Sequence, residues 1–81
     1  MKRIAKAVYL GGYLIAVFFE DGKMVALSLK SFLEESKNPL IRQYLDRTKF
    51  AKFEVSPFRL HWENSLDISS EWIYDNIPPN K

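Results

Sequence analysis

The chain has 81 residues, which is enough for one small domain and too few for two domains of ordinary size. A hydrophobic share of 47% and an aromatic share of 15% exclude an intrinsically disordered tail. The absence of cysteine excludes a disulfide framework, a thiolate metal site and a cysteine nucleophile, and it favours a reducing compartment. The net charge of +2 is far below the charge density of a dedicated nucleic-acid domain.

The N-terminal segment is basic, but it lacks the small-residue cleavage pattern of a signal peptide, so we expect none. The longest nonpolar run, from Tyr13 to Phe19, is much shorter than the roughly 20 residues of a membrane helix. We therefore expect a cytoplasmic protein without a membrane span. Residues 1–77 are predicted to form a single domain, followed by a flexible C-terminal tail at 78–81.

Three strands are predicted first. Ile4–Leu10 and Tyr13–Glu20 flank a Gly-Gly pair that can form a tight hairpin turn. Tyr13–Phe19 is apolar on both phases of a strand, which predicts a central strand covered on both faces. The Asp21-Gly22 pair predicts a second hairpin, which leads into a strand at Lys23–Leu29.

Helical signals follow. Ser31 and Glu34 have the spacing of a capping box, and Asn38-Pro39 is typical of an N-cap followed by a first-turn proline. The helix after Asn38 carries an apolar stripe that we expect to cover the sheet. Its members are Leu40, Ile41, Tyr44 and Leu45.

The pattern then returns to strand periodicity. Phe50–Val55 and Phe58–Glu63 alternate apolar and polar residues around a Ser-Pro turn, and Ser69 can cap a final short helix. We predict an α+β domain with an antiparallel sheet in the order β-β-β-α(α)-β-β-α and helices packed on the sheet. The predicted core consists of Val8, Leu14, Ala16, Phe18, Val25, Leu27, Phe32, Leu33, Leu40, Leu45, Phe53, Val55, Leu60, Trp62, Leu66, Trp72 and Ile73.

The segment from His61 to Tyr74, HWENSLDISSEWIY, resembles the end of a small bacterial family, the domain of unknown function 2442. Phe18–Lys23 looks like the strand-turn signature of that family, and Phe50–Val55 looks like its fourth strand. The resemblance spans about Ile4 to Tyr74. Glu63 and Ser65 depart from it, because they stand where the family has proline and glycine, and Ala26 stands where many members have aspartate.

The resemblance implies a free-standing domain of a kind that is fused in some proteins to a helix-turn-helix domain. It also implies a second small protein encoded by a neighbouring gene, in an arrangement similar to a toxin–antitoxin pair. No DNA-reading helix is implied for this chain. The leading hypothesis is therefore a non-catalytic interaction module that binds a small partner protein, in the role of an antitoxin.

The residues that carry the resemblance have two interpretations. In the structural one, the tryptophans are buried, Asn64-Ser65 forms a turn, and Asp67 accepts backbone N–H bonds near the final helix. In the functional one, these side chains form a recognition surface for a partner. That candidate surface consists of Trp62, Asn64, Asp67, Trp72 and Tyr74. Homodimerisation through an edge strand or an aromatic patch at Tyr9, Tyr13 and Tyr74 is a competing use.

Catalysis has little support in the sequence. His61 is the single histidine, and we expect it to face solvent on a strand. The adjacent carboxylates at Glu20-Asp21 and Glu34-Glu35 point in different directions on strands and helices, so they make no acid/base pair. We predict no enzyme activity, no cofactor and no metal. Nucleic-acid binding is the alternative function, through a mixed basic set: Lys2, Arg3, Lys6, Arg42, Arg47, Lys49 and Lys52.

Overall fold

The computed structural model describes residues 2–63 and 66–75. In chain order, its strands are β1 (Ile4–Gly11), β2 (Leu14–Phe19), β3 (Met24–Ser28), β4 (Glu54–Ser56), β5 (Arg59–Trp62) and β6 (Leu66–Ser69). Its helices are α1 (Lys30–Glu35), α2 (Pro39–Arg42), α3 (Arg47–Phe50) and α4 (Ser70–Asp75), with a 3-10 turn at Gln43–Leu45. The predicted α+β class is confirmed and the predicted element order is broadly consistent with the structure, but β6 is a strand that the sequence pattern did not reveal, and the strands form two sheets where one was predicted. The predicted tail at 78–81 lies outside the described residues.

The strands form two antiparallel sheets of three strands each, with the orders β1-β2-β3 and β4-β5-β6. We call these the first sheet and the second sheet. In the first sheet Val17 of β2 lies between Ala7 and Val25 of its neighbours, as expected for a central strand. Gly12 and Gly22 have positive φ values of 56° and 93° in the two hairpin turns, a conformation that glycine adopts without a steric penalty.

Two hydrogen bonds connect the two sheets at one corner, and a third joins α4 to the turn between β4 and β5. The backbone N–H of Ile4 donates to the carbonyl of Pro57 at 2.7 Å. Ser70, at the start of α4, is buried; its N–H donates to the carbonyl of Phe58 at 2.7 Å, and its hydroxyl donates to the carbonyl of Lys2 at 2.6 Å. One serine therefore links the chain just before β1 to the turn between β4 and β5.

A single hydrophobic core takes residues from both sheets and from the helices. On β2 the fully buried phase is Ile15 and Val17, followed by Phe19, whereas the predicted core phase was Leu14, Ala16 and Phe18. Ala16 is buried as predicted, but Leu14 and Phe18 are only half-buried, so the prediction was wrong for these two residues. Because β2 is apolar on both phases, its sequence cannot say which phase faces inward. Five further residues of the predicted core are exposed: Val8, Phe32, Leu40, Val55 and Trp72.

The predicted helix after Asn38 is broken into short pieces. Tyr44 lies in the 3-10 turn, where its ring is buried and its hydroxyl donates to the carbonyl of Trp62 at 3.3 Å. Asp46 then caps α3 by accepting the N–H of Thr48 at 2.9 Å. The cap starts a new helical turn that contains Phe50, so β4 begins at Glu54 and not at Phe50 as predicted.

Two of the three predicted helix caps are confirmed. Asn38 Oδ1 accepts the N–H of Leu40 at 2.9 Å, and Ser69 Oγ accepts the N–H of Trp72 at 3.1 Å. The capping box at Ser31 was wrong, because the N-cap of α1 is Leu29, two residues earlier, and it makes no side-chain cap. Within the two described ranges, no helix has the length and apolar character needed to cross a membrane.

Candidate functional site

Trp62 belongs to the core and not to a recognition surface. Its side chain is 1% exposed, and its indole N–H donates to the carbonyl of Phe50 at 2.7 Å. The rings of Tyr44, Phe50 and Phe53 surround it with centroid distances of 5.7–6.0 Å. The structural interpretation holds for this residue, because a partner protein cannot reach a side chain that is enclosed on all sides.

Asp67 and Trp72 lie together in a shallow groove of about 360 Å³, which is also lined by Phe32, Ile68 and Ser69. Asp67 lies on β6 with its carboxylate Oδ2 3.6 Å from the guanidinium Nε of Arg59. It therefore makes a cross-strand ion pair, where the structural interpretation expected bonds to backbone N–H groups. This groove is the part of the predicted surface that the fold brings together.

Tyr74 lies elsewhere, because residues two apart on a helix point to different sides. Its ring meets Phe19 edge-on at 5.0 Å, and its hydroxyl donates to Asp21 at 2.8 Å. The ammonium groups of Lys2 and Lys23 lie 4.2 and 4.9 Å from the ring centroid. Tyr74 thus attaches α4 to the turn between β2 and β3, which is a structural role.

The bond between Asp21 and Tyr74 changes the protonation of both groups. The pKa of Asp21 is lowered, first by the backbone N–H of Lys23 and then by the hydroxyl of Tyr74. The pKa of Tyr74 is raised, chiefly because its proton is shared with that carboxylate. Asp21 is therefore held ionised and Tyr74 is held neutral.

The aromatic patch of Tyr9, Tyr13 and Tyr74 does not form. Tyr9 and Tyr13 both contact the buried ring of Phe50 edge-on, at 6.1 and 5.6 Å. Their hydroxyls donate to backbone carbonyls, Tyr9 to Gly12 and Tyr13 to Leu45. These two rings cover one end of the core, far along β2 from the contact between Tyr74 and Phe19.

The outward side of the first sheet is a surface that our sequence analysis missed. Because the inward phases of its strands are buried, the alternate residues point away from the core. We call this surface the open face. It consists of Lys6, Val8 and Leu10 on β1, Leu14, Ala16 and Phe18 on β2, and Met24, Ala26 and Ser28 on β3. Seven of these nine residues are apolar.

The open face has large apolar side chains in contact with solvent. Val8 is 42% exposed, Leu10 is 52% exposed and Met24 is 51% exposed. The charge on it is the ammonium group of Lys6, which lies 4.9 Å from the ring centroid of Phe18. Ala16 is buried by its neighbours within the sheet, because its small side chain lies between Val8 and Ala26 in register. The open face is therefore in contact with solvent, although its residue composition is typical of a buried surface.

The outward side of the second sheet is polar. Glu54, His61 and Asp67 lie in one cross-strand row, and Ser56, Arg59 and Ser69 lie in the next. His61 Nε2 is 3.0 Å from Glu54 Oε1, and its ring is half-buried rather than fully solvent-facing as predicted. Its Nδ1 has no hydrogen-bond partner among the described residues.

Within residues 2–63 and 66–75, no three His, Cys, Asp or Glu side chains could hold a metal ion. The adjacent carboxylates are separated as predicted: Glu20 pairs with Arg3 at 3.1 Å, while Asp21 accepts from Tyr74.

The predicted basic set is partly engaged within the chain. Arg3 bonds Glu20, and Arg42 donates to the carbonyls of Glu34 and Ser36 at 2.7 and 3.3 Å. The ammonium groups of Lys2 and Lys6 lie over aromatic rings. No observation favours a phosphate-binding surface, and nucleic-acid binding stays a prediction.

A comparison with protein-family models matches residues 4–79 to the family described as a protein of unknown function, DUF2442. The match covers nearly the whole chain. This protein belongs to the DUF2442 family. No curated protein and no solved structure matches it.

Two of the departures from the DUF2442 pattern have structural consequences. Glu63 has a φ of 43°, which a proline cannot adopt because its ring fixes φ near −65°. The backbone at Glu63 therefore differs from the backbone at a proline. Ala26 lies on the open face and makes it more apolar than an aspartate would. Asn64 and Ser65 lie outside the described residues.

Proposed function

We propose that this DUF2442 protein is a non-catalytic interaction module whose open face binds another small protein. The observation that supports this is the composition of the open face, which is apolar at seven of nine outward positions, four of them exposed to solvent. An antiparallel sheet with one solvated side normally has polar residues there. An exposed contiguous apolar surface of this kind is typical of a binding site.

Burial would stabilise a complex through the side chains that the fold leaves half-exposed. Each Å² of apolar surface removed from water contributes about 25 cal/mol. Val8, Leu10 and Met24 have the largest remaining exposure on the open face, so they are the expected anchors. The proposed partner is the small protein encoded by a neighbouring gene, with this chain in the antitoxin-like role and both proteins in the cytoplasm.

The test is co-expression of the tagged chain with the product of its neighbouring gene, followed by size-exclusion chromatography at micromolar concentration. The proposal expects one complex peak for the wild type. Val8→Lys places a second cation on the open face beside Lys6, and we expect the affinity to fall at least about tenfold.

Val55→Lys is the matched control, because Val55 is also a strand valine and is 40% exposed against 42% for Val8. It lies on β4 of the second sheet, so the complex should survive this change. Separate elution of the two wild-type proteins contradicts the proposal. Equal binding by Val8→Lys and Val55→Lys would also contradict it, because the open face would then not be the binding surface.

The groove at Trp72 is the second candidate surface, since Phe32 and Trp72 both lie exposed on its rim. It is smaller, and three of its five lining residues also serve the fold: Asp67 in an ion pair, Ser69 as a helix cap and Ile68 in the core. Loss of the complex in Phe32→Ser, with binding retained in Val8→Lys, would move the binding site to this groove.

A further inference from the structure

The shape of the open face limits what can cover it. Its cross-strand rows follow the register: Lys6, Phe18 and Met24 form one row, and Val8, Ala16 and Ala26 form the next. Gly11, Leu14 and Ser28 form the third row, and Leu10 lies at the register irregularity of β1 next to Gly11. The middle row has two alanines, so the face is a trough whose low floor lies between the row of Phe18 and Met24 on one side and the side chains of Leu10 and Leu14 on the other.

The trough has the width of an α-helix. Leu14 and Phe18 are four residues apart on β2, and at about 3.3–3.4 Å per residue their Cα atoms are about 13 Å apart. A helix with its side chains is about 10–12 Å across. A helix that crosses β2 at this point can therefore place its own apolar side chains between Leu14 and Phe18, against the alanine floor.

The charges around the trough are predominantly positive. Lys6 lies in the row of Phe18 and Met24. A hollow of about 780 Å³ borders the opposite end of the face and is lined by Leu14 and Ser28 together with Lys30, Arg47 and Asp46. The Asp46 carboxylate accepts the N–H of Thr48 at the start of α3 and keeps its charge, so the hollow has two cations and one anion. The open face itself has no acidic residue.

A second copy of this chain fits the trough poorly. A symmetric dimer uses the same patch on both subunits, so an interface centred on this face would set alanine floor against alanine floor. Two low floors leave a void, and voids in an interface cost binding energy. Lys6 would also have no carboxylate opposite it, because the facing surface would be another open face.

We propose that the open face binds an amphipathic α-helix of the partner protein, with carboxylates beside its apolar stripe that face Lys6 at one end and Lys30 and Arg47 at the other. This inference rests on the proposed function and specifies the binding element of the partner. The apolar stripe fills the trough, and the carboxylates select the helix by charge.

The test is a selection from a displayed library of single helices with the full-length chain as bait. The stripe positions of the helix are varied among apolar residues, and the flanking positions are varied between Glu and Lys. We expect enriched clones to carry Glu at the flanks, with an affinity about threefold to fivefold above that of their Lys counterparts at 150 mM salt. With Lys6→Glu as bait, the preference at the adjacent flank should reverse.

The affinity of the same clones is then measured for the two matched variants, Val8→Lys and Val55→Lys. They should lose at least about tenfold in affinity for Val8→Lys and bind Val55→Lys as they bind the wild type. Failure to enrich any clone, equal enrichment of Glu and Lys, or equal binding to both variants would each overturn the inference.

The two proposals can fail separately. If the neighbouring protein binds in a Val8-dependent way but the selection yields no acidic helix, the open face is a binding site for another kind of element, and the helix inference is wrong. If sedimentation shows the chain alone to be a dimer that Val8→Lys dissociates, a second copy is the occupant, and both proposals are wrong.

Discussion

The two sheets of this small domain have the same number of strands and share one core, but their outward sides differ. The second sheet alternates, so its buried residues Leu60 and Ile68 are flanked by the outward-facing Arg59, His61 and Asp67. The first sheet is apolar on both sides of β2. The outward side of the second sheet is suited to contact with water, whereas the outward side of the first sheet is suited to contact with protein.

The difference shows what strand periodicity measures. A strand that is solvated on one side alternates, and a strand that is covered on both sides does not. The pattern of Tyr13–Phe19 predicts that both faces of β2 are covered, and the described residues cover one of them. The second cover is the partner that we propose.

The largest expected effect tests whether the inward sides are equivalent. Ile15 in the first sheet and Leu60 in the second are both fully buried. Ile15→Ala and Leu60→Ala should each lower the free energy of unfolding by about 2–5 kcal/mol, because each leaves a cavity in the same core. Urea denaturation measures this, with Ile15→Val as a milder variant that should cost about 0.5–1.5 kcal/mol. A large cost in one sheet and none in the other would mean that the sheets do not share a core.

The next effect concerns the link between the sheets. Ser70→Ala removes the donor to the Lys2 carbonyl and leaves that oxygen unpaired, so we expect a loss of about 1–3 kcal/mol in the free energy of unfolding. Ser31→Ala is the control, because Ser31 is exposed and does not cap α1, and it should change stability by less than about 0.5 kcal/mol. Equal effects in thermal or urea unfolding would contradict the role given to Ser70.

A smaller effect is expected on the outward side of the second sheet. Arg59 and Asp67 are paired at 3.6 Å, but both side chains are 57% exposed. A double-mutant cycle with Arg59→Ala and Asp67→Ala should give a coupling energy below about 1 kcal/mol, because water screens the pair. A coupling of several kcal/mol would show that this face is not an ordinary solvated surface, and it would weaken the contrast between the sheets.

The smallest effect is a pH dependence at the turn between β2 and β3. The pKa of Asp21 is lowered below its ordinary value of 3.8, so its contribution is present above that pH and is lost as the pH falls through the folded-state pKa. The pKa of Tyr74 is raised above 10.0, so its contribution is present below that pH and is lost as the pH rises through the folded-state pKa. In unfolding followed against pH, Asp21→Asn should flatten the acid side of the profile and Tyr74→Phe the alkaline side. Profiles unchanged by both substitutions would mean that the bond between these side chains contributes nothing.

Local signals predicted the elements whose residues carry their own turn or cap chemistry. Asn38 and Ser69 cap helices as expected, and the Gly-Gly and Asp-Gly pairs form the two hairpin turns of the first sheet. The second sheet was harder. The segment Leu66–Ser69 is short and was interpreted as a turn and a cap, and its pairing with β5 depends on tertiary contacts.

The structure brings together part of the predicted recognition surface. Asp67 and Trp72 share a groove, as the functional interpretation required, but Trp62 is in the core and Tyr74 is on another side of α4. The open face was missed for one reason. The sequence shows that both phases of β2 are apolar, and no local signal shows which of them the rest of the chain will cover.

The most direct test of the contrast between the two sheets is NMR cross-saturation in the complex of the isotope-labelled chain with its neighbouring gene product. Saturation is transferred from the partner to residues within contact distance, so it maps the interface without a mutation. We expect transfer to the amides around Val8, Ala16 and Ala26, with none at Arg59 and His61. Transfer centred on the second sheet or on Trp72, with the first sheet silent, would contradict the account.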